Sequence, residues 1–241
     1  MPTTLRRLLD RAYETFAYYQ QPAFLDASPL RNPEKILKQL TAKPLRLLDV
    51  ADVQEYASAA LTTVGTIDDY KHFLPRLLDL AMESAVIAPP VIALKLRAAE
   101  WRAWPGNEQQ VVEAVFVEAC ENAFRQHPDN YLADGWLVAL AILKIDPSRQ
   151  QAKLLKSSSD LCALQLAHVM LSDTLFASGP CERAYWEYVP DKIVQDTRFW
   201  MLSEEMRTFL LTARLRIGSN DAWLLEKAIA RREQLLQQRL Q

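Results

Sequence analysis

Apolar residues recur along this chain at spacings of three and four, which is the spacing of one face of an α-helix. Leu5, Leu9, Ala12 and Phe16 form the first such stripe. The alternation of apolar and polar residues that is typical of a strand is not sustained anywhere, and there are only five glycines. The pattern therefore predicts an all-α protein.

Short polar side chains and prolines predict where the helices begin, because they cap free N–H groups or fit the first turn. Such start signals are Asn32-Pro33, Asp49, Thr66 with Asp69 three positions on, and Asp146-Pro147. The helix that begins at Asp49 is expected to end at Val64-Gly65. Pro75 lacks an N–H and clashes with the carbonyl of Lys71, so it predicts a kink or a restart after a lead-in turn over residues 67–73.

The predicted elements amount to about a dozen helices joined by short loops, with successive starts near 49, 66, 90, 106, 131, 147 and 159. This spacing indicates antiparallel helical hairpins. Either an irregular HEAT-like α-solenoid or a compact helical bundle fits it, and both remain open. We expect a single all-α domain over residues 1–241, with a weak sub-boundary near 178–180.

Composition narrows the classes of partner. Half of the 241 residues are hydrophobic and the formal net charge is −2, which supports a buried core and does not favour nucleic-acid binding. No run of eighteen or more apolar residues occurs, so no membrane partner is expected. The three cysteines are widely spaced, which argues against a disulfide framework. Residues 1–16 lack the apolar core of a secretory signal. We expect a cytoplasmic protein.

Signals of cofactor chemistry are missing. The cysteines and histidines do not stand at metal-ligand spacings, closely spaced glycines for a phosphate loop do not occur, and no Gly-x-Ser-x-Gly motif is present. The sequence thus predicts no cofactor and favours a non-enzymatic protein.

The segment DDYKHFLPR, residues 68–76, nevertheless combines carboxylates, a tyrosine, a histidine and an arginine. One interpretation is a helix junction in which each residue has a structural role. The alternative is an enzyme or small-molecule site in which a carboxylate orients a histidine. Its pocket would contain Asp69, Tyr70, His72 and Arg76, with Glu55 and Tyr56 from the preceding helix.

A tryptophan pair, Trp101 and Trp104, stands at i, i+3 spacing with Arg102 beside it. Both indoles fit a core, and together with the arginine they also fit a protein interface. The candidate interaction residues are Glu55, Tyr56, Asp68, Asp69, Tyr70, His72, Arg76, Trp101, Arg102 and Trp104.

Three segments resemble a family of uncharacterised bacterial all-helical proteins over roughly residues 10–140. They are Lys43-Pro44-Leu45-Arg46, the stretch DDYKHFLPRLL at 68–78 and the stretch WRAWPGNEQ at 101–109. Members of that family often carry a Cys-Pro-x-Cys-like cluster in the loop before the first segment, whereas the loop at 21–29 contains no cysteine here. The resemblance implies a bacterial cytoplasmic setting and leaves the function open.

The leading expectation is a helical protein that binds another protein, as a regulator or a toxin-neutralising immunity protein. A homodimer through the C-terminal helix is a further possibility. That helix carries an apolar stripe beside basic residues. The stripe is Leu225, Ile229, Leu236 and Leu240, and the basic residues are Lys227, Arg231, Arg232 and Arg239.

Overall fold

The computed structural model describes residues 2–129, 133–177 and 184–239. Within these ranges the protein has thirteen α-helices, 71% of the chain is helical and no strand is formed, so the all-α prediction is confirmed. The helices are α1 Thr3–Phe16, α2 Pro33–Leu40, α3 Val50–Ala59, α4 Ile67–Ala81, α5 Pro89–Ala98, α6 Gly106–Ala123, α7 Asp134–Ile142, α8 Pro147–Leu155, α9 Asp160–Leu171, α10 Asp173–Phe176, α11 Asp191–Met201, α12 Glu204–Arg214 and α13 Ser219–Arg239. Short 3₁₀ helices cover Leu45–Leu47, Trp101–Ala103 and Ala184–Tyr188.

The chain divides into two compact units, and the division falls after Ala119, within α6. The predicted sub-boundary at 178–180 lies outside the described residues, and the single domain over 1–241 stays a prediction. None of the described helices is both long and apolar enough to cross a bilayer.

All four predicted start signals cap their helices. In each case a side-chain oxygen accepts a hydrogen bond from a backbone N–H of the first turn. The pairs are Asn32 with Lys35, Asp49 with Asp52, Thr66 with Asp69, and Asp146 with Ser148. These polar contacts are local, which explains why the sequence alone predicts them.

The first unit is organised around α4, which packs against α1, α3 and α5. Its core side chains Phe73, Leu74 and Leu77 are buried, as are Leu5 and Leu9 of α1. Apolar residues from separate helices thus meet on the faces that their periodicity predicts.

The predicted lead-in turn over residues 67–73 is wrong. α4 runs from Ile67 to Ala81 with Pro75 inside it. Pro75 removes one backbone hydrogen bond to the carbonyl of Lys71, but buried residues before and after the proline pack on the same core. The helix continues because this packing outweighs the lost hydrogen bond.

One other predicted helix end is too late. α3 ends at Ala59 rather than Val64, and Leu61 then takes a left-handed backbone with φ 61°. Gly65 has the predicted positive φ, 75°, but stands in the turn beyond this helix. α5 ends at Ala98 because Glu100, with φ 51°, turns the chain before the 3₁₀ helix of the tryptophan pair.

In the second unit, α13 packs against α9 and α12. Leu225 is fully buried and Ile229 and Leu236 are half-buried, whereas Leu240 lies outside the described residues. Arg232 was expected on the polar face but is 99% buried, and its guanidinium donates to the carbonyl of Leu202 and pairs with Glu204 and Glu233. The homodimer stays a prediction.

Candidate functional site

Capping contacts at the start of α4 hold Asp69, the second aspartate of the DDYKHFLPR segment. The backbone N–H of Thr66 donates to Asp69 Oδ2 at 2.7 Å, and the N–H of Asp69 donates back to Thr66 Oγ1 at 3.3 Å. Asp68 is exposed in the same first turn. Both carboxylates therefore stand where the positive end of the helix dipole stabilises negative charge.

His72 contacts the backbone rather than a carboxylate. Its Nδ1 lies 2.8 Å from the carbonyl oxygen of Tyr19, so Nδ1 carries the proton, because only a donor can bond to a carbonyl. The ring packs edge-on against Phe73, and Nε2 is buried without a hydrogen-bond partner among the described residues. This geometry favours a structural role over the acid–base pair that the alternative interpretation requires.

The two tyrosines of the proposed pocket are core residues. Tyr70 donates its hydroxyl to the carbonyl of Ile92 at 3.3 Å, and Tyr56 packs edge-on against Phe73. Burial raises the pKa of both hydroxyls above the ordinary tyrosine value. Both therefore stay protonated near neutral pH.

Between Tyr70 and His72, Lys71 forms a buried ion pair that the sequence did not predict. Its Nζ lies 2.8 Å from Glu108 Oε2 at the start of α6, and each side chain is only 7% exposed. Lys71 also donates to the hydroxyl of Tyr19 at 2.7 Å, and that hydroxyl donates to Glu108 Oε1 at 2.7 Å. The three side chains thus form a closed network of one ion pair and two hydrogen bonds.

Aromatic rings surround this ammonium group. Lys71 Nζ stands 4.3 Å from the ring centre of Trp104 and 4.7 Å from that of Tyr19, and Phe16 packs edge-on against Trp104. Burial alone lowers the pKa of Lys71, but the hydrogen bonds to Glu108 and Tyr19 outweigh it and raise the pKa. The lysine is therefore charged, and it is too enclosed to act as a base.

Arg76 belongs to a second network, one helical turn along α4. It donates through Nε to the carbonyl of Leu48 at 2.6 Å and through Nη1 to Asp79 at 3.0 Å. Tyr13 donates to Asp79 as well, and Arg6 pairs with it at 3.4 Å. These contacts tie α1 and the segment before α3 to α4.

The tryptophan pair is largely internal. Trp104 donates its indole N–H to the carbonyl of Ala99 at 2.9 Å, and Trp101 is buried beneath the guanidinium of Arg102, 4.0 Å from its ring centre. Arg102 pairs at the surface with Glu113. At this turn the surface is formed by Arg102 and Ala103 rather than by the two indoles.

Four of the ten candidate interaction residues are buried, so they lie beneath the surface: Tyr56, Tyr70, Trp101 and Trp104. The other six are exposed or half-buried: Glu55, Asp68, Asp69, His72, Arg76 and Arg102. Their interaction role stays a prediction. Sequence reasoning missed the partners Glu108, Tyr19 and Asp79. For Glu108 and Tyr19 one signal was present, because Lys71 lies on the apolar face of α4 with Leu74 and Leu78 and a buried lysine needs polar partners.

A concave surface lies in the second unit, between α8 and α12. It is a groove of about 740 Å³. Its lining combines apolar surface with charges of both signs and consists of Ala152, Leu155, Lys156, Ser157, Glu204, Glu205, Thr208, Phe209, Thr212 and Arg216. Arg216 is paired with Asp160, whereas Glu205 and Lys156 form no ion pair with any described residue.

No protein-family model, curated protein or solved structure matches the chain. Within the described ranges, histidine, cysteine and acidic side chains do not gather in a group of three that would hold a metal ion.

Proposed function

We propose that this protein is a non-enzymatic helical protein that binds an amphipathic helix of another protein in the groove between α8 and α12. The observation that carries the proposal is the groove itself, a concave and largely apolar surface with charged residues at its border. Binding an amphipathic helix in such a groove is a common mode of protein recognition.

The spacing of the lining residues on α12 suits a helical ligand. Residues 204, 208 and 212 of α12 recur every four positions and form one strip, and residue 216 follows just after the helix ends at Arg214. The helical part of the strip spans about 12 Å, since an α-helix rises 1.5 Å per residue. About two turns of a partner helix would cover it.

An exposed apolar border extends this strip. Leu211 stands three residues after Thr208 on α12, and Leu215 stands three residues after Thr212 at the end of that helix. Leu215 is 88% exposed and Leu211 is 37% exposed, so both offer apolar surface beside the groove. A partner helix would cover both leucines while its own apolar face contacts Leu155 and Phe209.

Charge complementarity specifies the partner further. Glu205 and Lys156 border the groove without an ion pair inside the described chain. A ligand with a basic and an acidic residue flanking its apolar face would pair with both, which contributes more to specificity than to affinity. The proposal includes a location in the bacterial cytoplasm. Two sequence features support this location: the wide spacing of the cysteines and the resemblance of three segments to a family of bacterial proteins.

A display library of amphipathic helical peptides tests the proposal directly. Peptides selected on the wild-type protein should bind Thr208→Arg at least about ten-fold more weakly, because a long charged side chain then fills the groove. Ala230→Arg, an exposed change on α13, is the control and should leave binding unchanged. Peptides that bind all three proteins equally, or a selection that enriches none, would refute the groove as the binding site.

A further inference from the structure

Lys95, on α5 in the first unit, is a buried lysine without a carboxylate partner. Only 7% of its surface is exposed, and its Nζ donates to Thr62 Oγ1 at 3.1 Å. It forms no ion pair with any residue that the structure describes. Lys71 is also buried but has Glu108 beside it, so Lys95 differs in lacking a compensating charge. Burial therefore disfavours the charged form of this amine.

Arg31 is a second cation at the same turn. Its Nε donates to Thr63 Oγ1 at 3.2 Å, and it too has no ion pair within the described ranges. The hydroxyls of Thr62 and Thr63 both donate to the carbonyl of Ala59, at 2.9 and 3.5 Å, which brings the two cations near one another. Burial, and then the positive charge of Arg31, lower the pKa of Lys95 below the ordinary lysine value. The neutral amine is therefore more populated at Lys95 than at an exposed lysine.

A neutral lysine amine is a nucleophile, because its nitrogen lone pair is free. Few electrophiles reach an amine of which so little is exposed, and an acyl donor held by a modifying enzyme needs an exposed side chain. Carbon dioxide is small, uncharged and apolar, so it enters a buried site without the cost of desolvating an ion. The product, a carbamate, keeps one N–H, which can still donate to Thr62 Oγ1 as the amine does.

We propose that Lys95 is a site of reversible modification by carbon dioxide, with a carbamate as the product and Arg31 as the cation that stabilises it. The nitrogen lone pair attacks the carbon of carbon dioxide and forms an N–C bond. One C=O electron pair moves onto oxygen, and a proton leaves the nitrogen for solvent. The side chain thereby changes from a cation to an anion. The charge of Arg31, which disfavours an ammonium at this place, favours the carbamate, so modification replaces two like charges by an opposite pair.

Chemical trapping followed by peptide mass spectrometry tests the proposal on the wild-type protein. Triethyloxonium ethylates the oxygen of a carbamate and so converts the labile group into a stable ethyl carbamate. In bicarbonate buffer at mildly alkaline pH, we expect this adduct on Lys95 and less of it on Lys38, an exposed lysine of α2. The adduct should be lost when carbon dioxide is removed before trapping. A wild type with no adduct on Lys95, or with no more than on Lys38, overturns the proposal.

NMR with isotope-labelled bicarbonate measures how much carbamate forms in each variant. Lys95→Met should lose the carbamate signal, whereas Lys38→Met is the matched control and should retain it. Arg31→Gln should need several-fold more carbon dioxide for the same occupancy, because the stabilising charge is gone. A signal that Lys95→Met retains in full, or an occupancy that Arg31→Gln leaves unchanged, contradicts the proposal. The peptide map of the wild type locates the adduct even if Lys95→Met fails to fold.

Discussion

The buried ion pair between Lys71 and Glu108 should contribute strongly to the stability of the first unit. Replacing Glu108 by Gln leaves the ammonium of Lys71 buried without an opposite charge. Breaking a buried ion pair in this way typically costs about 3–5 kcal/mol. The hydroxyl of Tyr19 and the ring of Trp104 still contact the ammonium, so we expect a value near the lower limit, about 3 kcal/mol.

Because both side chains are only 7% exposed, solvent does not reduce this cost. The exposed pair of Arg102 and Glu113, with side chains 49% and 45% exposed, is the matched control. Glu113→Gln should cost about 0–1 kcal/mol, as expected for a surface ion pair. Urea unfolding at neutral pH, followed by circular dichroism, measures both changes.

A double variant separates the charge pair from its individual residues. Lys71→Met combined with Glu108→Leu removes both charges and should be less destabilising than either single change, since a buried pair can be replaced by apolar residues at little cost.

The raised pKa of Lys71 adds a pH test. Its stabilising contribution should be complete below pH 10.5, the ordinary lysine value, and should be lost as the pH rises through the folded-state pKa. If Glu108→Gln costs no more than Glu113→Gln, the reasoning is refuted.

Other measurements check the remaining interpretations. His72→Gln should lower the free energy of unfolding by about 1 kcal/mol, the net value of one hydrogen bond. Leu77→Ala should lower it by about 2–5 kcal/mol, because it leaves a cavity in the core. Loss of function with unchanged stability in the histidine variant would contradict its structural role. Burial raises the pKa of Tyr13 from 10.0 to about 12. Between these two values the folded state retains a proton that the unfolded state loses, so the free energy of unfolding should fall as the pH rises. If Tyr13→Phe loses stability with rising pH in the same way as the wild type, Tyr13 is not the cause. Gly65→Ala should lower the free energy of unfolding by about 1–2 kcal/mol, because φ at Gly65 is 75° and a side chain is strained there. Gly218→Ala is the control, since a Cβ at Gly218 meets open space. Equal melting temperatures for the two variants would exclude strain at Gly65.

The sequence predicted those features that depend on neighbours along the chain. Helix caps such as Asp49 and Thr66 form with a residue three positions on, so the local pattern contains both partners. The stripe of α1 likewise follows from helical periodicity alone. The course of α4 through Pro75 was mispredicted because local rules consider the lost hydrogen bond and not the packing on either side.

The sequence by itself determined the helical class, because residue spacing reports which face of each helix is apolar. Only the tertiary structure decided which charges are buried and what surrounds them. Lys71 bonds to Tyr19 fifty-two residues away, and Lys95 to Thr62 thirty-three residues away. Such pairs form where helices meet, and no local pattern records that meeting. The same packing placed a carboxylate beside Lys71 and only a threonine hydroxyl beside Lys95.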